Sequence, residues 1–312
     1  MTMILVLQSA LFVAALFWLS LQRPFDKVWA GSVICASGLA LLGVSLAGLW
    51  VYPPRWALVP AVLVYAALSF RVWRRADEAN ERGALRGAVS IGGVLTWATL
   101  GGALAWQTVV GHIKPRAETL DLAAPLVGEG FCIISGGASA VLNFHMETLA
   151  PGKEAYRGQS FGADFIERSP LGLRTVNSEW WRAAPEDPRS YRIFGAPVVA
   201  PCAGVVAIVR DGVPDQPAGV IVRRPMAGNH VVLNCGVHEV LLAHLRQGSV
   251  RVALGQRVEV GERLGDVGNT GATDEPHLHV SVQRAADGAT PFAGQPVHLT
   301  FNGRYLARGD CL

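Results

Sequence analysis

The chain has 312 residues, 51% hydrophobic and only 16% charged, against about 25% charged in an ordinary soluble domain. That balance excludes intrinsic disorder and points toward a membrane. Residues 1–117 hold ten Lys and Arg against four Asp and Glu, whereas residues 118–312 hold seventeen against twenty, so the second part has no net positive field to attract nucleic acid.

Four N-terminal stretches lack charge: Met1–Gln22, Val28–Pro54, Trp56–Phe70 and Gly87–Ile113. A helix crossing the hydrocarbon layer needs roughly 17–25 residues, which three of them meet directly. The third reaches Trp73 if Arg71 snorkels. The first has neither a basic leader nor a small-residue cleavage site, so it reads as a span rather than a signal peptide. Arg71, Arg74, Arg75, Arg82 and Arg86 crowd the third connection, Arg23 and Lys27 the first, and only Arg55 the second. Positively charged loops stay in the cytoplasm, which puts residues beyond the fourth span on the outer side of the membrane. No ionisable residue lies inside a span, so residues 1–113 read as a four-helix transmembrane anchor rather than a transporter.

Residues 114–120, with Lys114, Pro115 and Arg116, form a linker, and residues 121–312 suffice for one well-cored extracytoplasmic domain. Short β-branched runs recur there: Val198–Ala200, Val205–Val209, Gly219–Val222, His230–Leu233, Val240–Leu245, Val250–Val252 and His279–Val282. Turn signals such as Asp211-Gly212, Gly228-Asn229 and Gly255 separate them, which predicts an all-β, mostly antiparallel domain. Its four cysteines, Cys132, Cys202, Cys235 and Cys311, permit three disulfide connectivities outside the cytoplasm.

Seven of the eight histidines fall in this domain. In Pro276-His277-Leu278-His279 the two imidazoles share one face of a strand, so one can bind a metal while the other acts on bound water. Upstream lie Ala243-His244-Leu245 and a series of glycine turns at Gly255, Gly261, Gly265 and Gly268-Asn269-Thr270-Gly271. With Pro197-Val198-Val199-Ala200-Pro201 and Gly204-Val205-Val206, this ordered pattern resembles the lysostaphin/LytM-type zinc metallopeptidases, which cleave the peptide part of bacterial peptidoglycan. The resemblance runs from about Ala196 to Val282 and, more loosely, back to Gly128.

The resemblance implies that His279 is a zinc ligand and that His244 and His277 are the catalytic pair. It implies hydrolysis of peptidoglycan amide bonds by attack of a zinc-bound water, with the base and the oxyanion stabiliser left open between the two histidines. In the family a His-x-x-x-Asp motif supplies the other ligands. Here Asp164 matches the aspartate, but Ser160 stands in the histidine's place. Either His145, in Asn143-Phe144-His145 upstream of Gln159–Phe165, replaces it as in a variant subset of the family, or the site has lost a ligand. The second reading makes the domain a catalytically degenerate module that binds cell wall or regulates another wall hydrolase. A further departure is Leu242, where many relatives have Tyr.

The remaining candidates read more plainly. His230 is a satisfied surface or rim histidine, His238 and His298 lack partners at useful spacing, and Asp274 and Glu275 cap turns in preference to touching the metal or its ligands. Trp180 and Trp181 line a groove or pack a long loop. A cupin-type metal barrel would need an acid just after His-x-His, and Val280 to Gln283 contains none.

Overall fold

The computed structural model describes residues 2–50, 54–76, 84–176, 184–284 and 292–312. The chain divides into two compact units, Met1–Val109 and Val110–Leu312. Arg82, Trp180 and Trp181 lie outside the described residues.

The first unit is helical: α1 (Thr2–Leu21), α2 (Lys27–Ala47), α3 (Leu58–Arg75) and most of α4 (Ala84–His112). Asp26 caps α2, its side chain accepting from the Trp29 amide at 2.7 Å, which satisfies an amide that the helix leaves unpaired. Two polar side chains of these apolar helices bond to backbone carbonyls within the unit. Ser37 donates to the Val33 carbonyl at 2.9 Å, and Tyr65 donates from α3 to the Ile34 carbonyl of α2 at 2.8 Å. Gly43 and Gly101 bring the backbones of α2 and α4 into contact, and a Cβ on Gly43 would collide with the Gly101 carbonyl. Among the described residues, two helical stretches, Lys27–Ala47 and Arg55–Arg75, are long and apolar enough to cross a bilayer, and Leu5–Leu21 is a shorter apolar stretch.

The second unit is mostly β. Its strands are β1 (Thr119–Leu122), β2 (Phe131–Ser135), β3 (Ala163–Glu167), β4 (Pro197–Val199), β5 (Gly204–Arg210), β6 (Asn229–Cys235), β7 (His238–Leu245), β8 (Arg257–Val258), β9 (Arg263–Asp266), β10 (Leu278–Arg284) and β11 (Pro296–Phe301). The main sheet runs β1-β11-β10-β7-β6-β5-β8, and β4 pairs with β9 separately. Pairing is antiparallel except between β1 and β11. One edge of β10 is divided: Leu278–Val280 pair with β3, and Val282 and Gln283 pair with β11. Strand β2 extends the sheet beyond β3.

Alternation sends Leu278, Val280 and Val282 of β10 and Val240 and Leu242 of β7 into one core with Phe165, Ile133 and Leu233. Leu241 and Ala243 lie on the opposite face with Val232. Disulfides join Cys132 to Cys311 and Cys202 to Cys235.

Two expected strands do not form. Val220, Ile221 and Val222 are 48%, 47% and 41% exposed, and their segment braces a loop through Gly219 N–H to the Asp274 carbonyl and Val222 N–H to the Gly271 carbonyl. The 250–252 run is likewise irregular, its Val250 amide donating to the Asp211 carboxylate. In both places β-branched residues lack a neighbouring strand with which to build a ladder.

Candidate functional site

Strand register creates the centre of the site. In β10, His279 stands opposite Asp164 of β3 on one side and Ala243 of β7 on the other. His279 Nδ1 lies 2.8 Å from Asp164 Oδ1. His145 Nε2 approaches the other carboxylate oxygen, Oδ2, at 2.9 Å. It arrives from the 3-10 turn Phe144–Leu149, which Asn143 anchors. The Asn143 side-chain oxygen accepts from the His145 amide, and its nitrogen donates to the carbonyls of Gly137 and Gly162. Ser160 is turned away: its hydroxyl donates to the Arg157 carbonyl at 2.6 Å and lies 2.7 Å from Thr148 Oγ1.

His277 immediately precedes β10, and its Nε2 lies 3.7 Å from Asp164 Oδ1. His244 reaches the same space through a break in alternation. Leu242 and Leu245 both face the main core, so two residues between them, Ala243 and His244, share the other side. His244 has φ of 65°, and the register of β6 shifts opposite it between Asn229 and His230. A bulge of this kind re-aims a side chain at a local backbone cost. The ring centroids of His244 and His277 are then 4.7 Å apart, and those of His145 and His279 are 4.6 Å apart.

Both rings of the second pair have a defined tautomer when neutral. A carbonyl can only accept, so His244 Nδ1 donates to the Thr270 carbonyl at 2.8 Å and His277 Nδ1 to the Glu275 carbonyl at 2.9 Å. Each Nε2 is left with a lone pair. Gly271, at φ of 88°, fixes the Thr270 carbonyl, because a Cβ there would meet the backbone of Gly228 and Met226.

The electrostatics follow from one buried carboxylate among four imidazoles. Burial alone would raise the Asp164 pKa, but His145 and His277 hold it well below the ordinary carboxylate range. Burial works against a charged His145, and the facing Asp164 carboxylate outweighs it, so its pKa is raised. Burial, opposed by the hydrogen bond to Asp164, takes His279 down to about 4. Burial, with His277 and His279 adjacent, pushes His244 well below its usual value.

His145, Asp164 and His279 can each offer one ligand atom, all within 4.8 Å of one another. Two imidazoles and a carboxylate form the donor set of many catalytic zinc sites, in which tetrahedral bonds of 2.0–2.2 Å put ligand atoms roughly 3.3 Å apart. The 2.8 and 2.9 Å separations are close to that spacing. The group therefore fits a divalent ion.

Residues 191–297 match the model of peptidase family M23. The chain carries an M23 peptidase domain. The matched part contains His244, His277 and His279, whereas His145 and Asp164 precede it. Peptidoglycan DD-endopeptidase ShyA of Vibrio cholerae is 36% identical to this chain over 112 residues, which are 33% of the chain and a quarter, 25%, of that relative's length. A zinc-containing peptidase from Vibrio cholerae is similar at 23% identity and a TM-score of 0.25, over 48% of this chain and 28% of that one. Lysostaphin from Staphylococcus simulans is similar at 21% identity and a TM-score of 0.27, over 43% and 40% of the two chains.

The other histidines lie apart from the centre of the M23 domain. His230 is buried, its Nδ1 donating to the Gly228 carbonyl at 3.0 Å. His238 does have a partner, Glu118 at 2.9 Å, and His298 stacks on Phe161. Glu275, expected to cap a turn, is instead buried against Arg174, with Oε2 2.9 Å from the guanidinium Nε. These two residues are 101 apart in the chain, so no local pattern joins them.

Proposed function

We propose that the chain is a membrane-anchored zinc metallopeptidase that hydrolyses amide bonds in peptidoglycan peptides outside the bacterial plasma membrane. The observation that carries this reading is the convergence of His145 and His279 on Asp164, with His277 3.7 Å from the same carboxylate and His244 beside His277. The relative ShyA, a peptidoglycan DD-endopeptidase, supports the substrate class. The two disulfides support an oxidising compartment. The four N-terminal helices are the anchor, with α2 and the Arg55–Arg75 stretch its clearest spans by length and composition. Residues 1–113 form the membrane domain, 114–120 the linker and 121–312 the extracytoplasmic domain.

His145, Asp164 and His279 hold the zinc, which when bound supplies Lewis-acid activation of water and of the scissile carbonyl. The remaining chemistry belongs to the second histidine pair. With both Nδ1 protons committed to carbonyls, the two Nε2 atoms can accept protons from the reacting groups. A proton on His277 Nε2 faces the Asp164 carboxylate 3.7 Å away, whereas burial and the adjacent imidazoles keep His244 neutral. His244 thus orients the attacking water by accepting its hydrogen bond. His277 carries the proton, stabilises the oxyanion and returns the proton to the departing amine. The degenerate-module reading rests on Ser160, and His145 beside Asp164 supports the enzyme over it.

Full-length protein extracted in detergent should contain zinc at about one equivalent and release soluble peptides from purified peptidoglycan. Chelation should abolish release and zinc should restore it. Release that is indifferent to stripping the metal would overturn the proposal.

The raised pKa of His145 also sets a pH dependence. The metal-free site holds a proton on His145 that a ligand must lose, while Asp164 stays ionised. Zinc affinity should therefore rise with pH and level off above that raised pKa. Calorimetry in buffers of different ionisation enthalpy should show release of about one proton per zinc at mildly acidic pH. No proton release would contradict the assignment of His145.

A further inference from the structure

We propose that the buried Arg174–Glu275 ion pair is a positioning device that fixes the tautomer of His277, an inference that rests on the catalytic reading of that histidine. Glu275 lies two residues before His277 and ties together two systems. Its carboxylate Oε2 meets Arg174 Nε at 2.9 Å, with both side chains 7% exposed. Its backbone carbonyl accepts from His277 Nδ1 at 2.9 Å and from Thr273 Oγ1 at 2.7 Å. The carboxylate thus anchors the residue whose carbonyl orients the imidazole.

An ion pair at this depth is a poor device for stability. Apolar residues of similar volume commonly do as well or better, because two charges need not be stripped of water. The remaining carboxylate oxygen, Oε1, is buried without a hydrogen-bond partner among the described residues, which adds to the cost. What the pair provides is a fixed direction. Arg174 is itself held: its carbonyl accepts from the Arg192 amide at 2.9 Å, Thr175 bridges to Tyr191, and the guanidinium lies 5.8 Å from the centre of the Tyr191 ring.

Direction matters because His277 Nδ1 has a second neighbour. Thr273 Oγ1 lies 3.1 Å from it and can either donate or accept, whereas the Glu275 carbonyl only accepts. While that carbonyl is in place it draws the Thr273 hydroxyl proton as well as the Nδ1 proton. If it turns away, the Thr273 hydroxyl divides its proton between Asn269 Oδ1, 3.1 Å away, and His277 Nδ1, and where it donates to Nδ1 the neutral ring carries its proton on Nε2. The lone pair facing Asp164 is lost, and with it the acceptor that the reaction uses. Arg174 and Glu275 act through His277 and touch no reacting atom, so both are positioning residues.

The test uses the full-length protein in detergent, labelled with 15N-histidine, with and without zinc. Arg174→Met combined with Glu275→Leu replaces the pair by apolar volume, and Arg174→Lys keeps the charge but removes the Nε contact. The parent should show neutral His277 protonated at Nδ1 in long-range 15N–1H correlations, and both variants should show a mixture with Nε2–H. Zinc content should be unchanged. Peptide release should lose about tenfold in kcat, as for other partners that orient a site imidazole, with KM within twofold. A parent-like Nδ1–H signal in either folded variant would overturn the inference, as would a parent that lacks that tautomer. An inactive parent would count against the proposed function, while the tautomer signal would still decide this one.

Discussion

His279→Ala is expected to leave the full-length protein folded but without stoichiometric zinc, with peptide release reduced by roughly 10³-fold or more, the scale of losing a catalytic centre. The proposed zinc site has two nitrogen donors and one carboxylate, and this substitution removes the more deeply buried imidazole, 2% exposed. Asp164 and His145 alone offer two donors, too few for the three-ligand arrangement of a catalytic zinc. Burial keeps His279 neutral down to about pH 4, so at working pH its lone pair is available and the loss is of a ligand rather than of a charge. Metal analysis and thermal melting should be measured together, so that metal loss is separated from unfolding. Undiminished digestion by a folded, zinc-free variant would place the chemistry elsewhere.

The second large effect is expected at a position that the family match does not cover. His145→Ala should weaken zinc binding by at least roughly 100-fold, beyond the 10–100-fold cost of losing an outer-shell partner, and should abolish release at limiting zinc. Ser160 cannot take over, because its hydroxyl is committed to Arg157 and Thr148 on the far side of the turn. With His145 gone, one oxygen of the buried carboxylate loses its close partner, and burial then pushes the Asp164 pKa upward relative to the parent. Residual zinc binding should accordingly weaken further as pH falls. Parent-like affinity in His145→Ala would remove only this residue from the ligand set.

Much of the β unit was legible because alternation and turn residues are local signals. The runs around Val205, His230, Val240 and His279 became β5, β6, β7 and β10. Strands β2 and β3 were not read, since both are buried along their length and lack a polar–apolar alternation. The Gly219–Val222 run has strand chemistry but no neighbouring strand, which no local pattern reveals. His277 and His279 were readable from their spacing. The approach of His279 to Asp164 depends on a register between strands 115 residues apart, and His145 entered through the family resemblance rather than through any spacing rule. The position of His244 depends on a bulge with no glycine to announce it. The Arg174–Glu275 pair had no sequence signal at all, because an ion pair across 101 residues is visible only after folding.

The divided edge of β10 separates two packing constraints within seven residues. His279 and Val280 are clamped between β3 and β7, where a slip of one residue would carry His279 to the wrong side of the sheet. Val282 and Gln283 keep β7 on one side and exchange β3 for β11 on the other. An altered loop length on the β11 side thus meets the strand beyond His279, whose own register β3 and β7 hold, which makes that half of the strand the natural place for protein engineers to vary the scaffold.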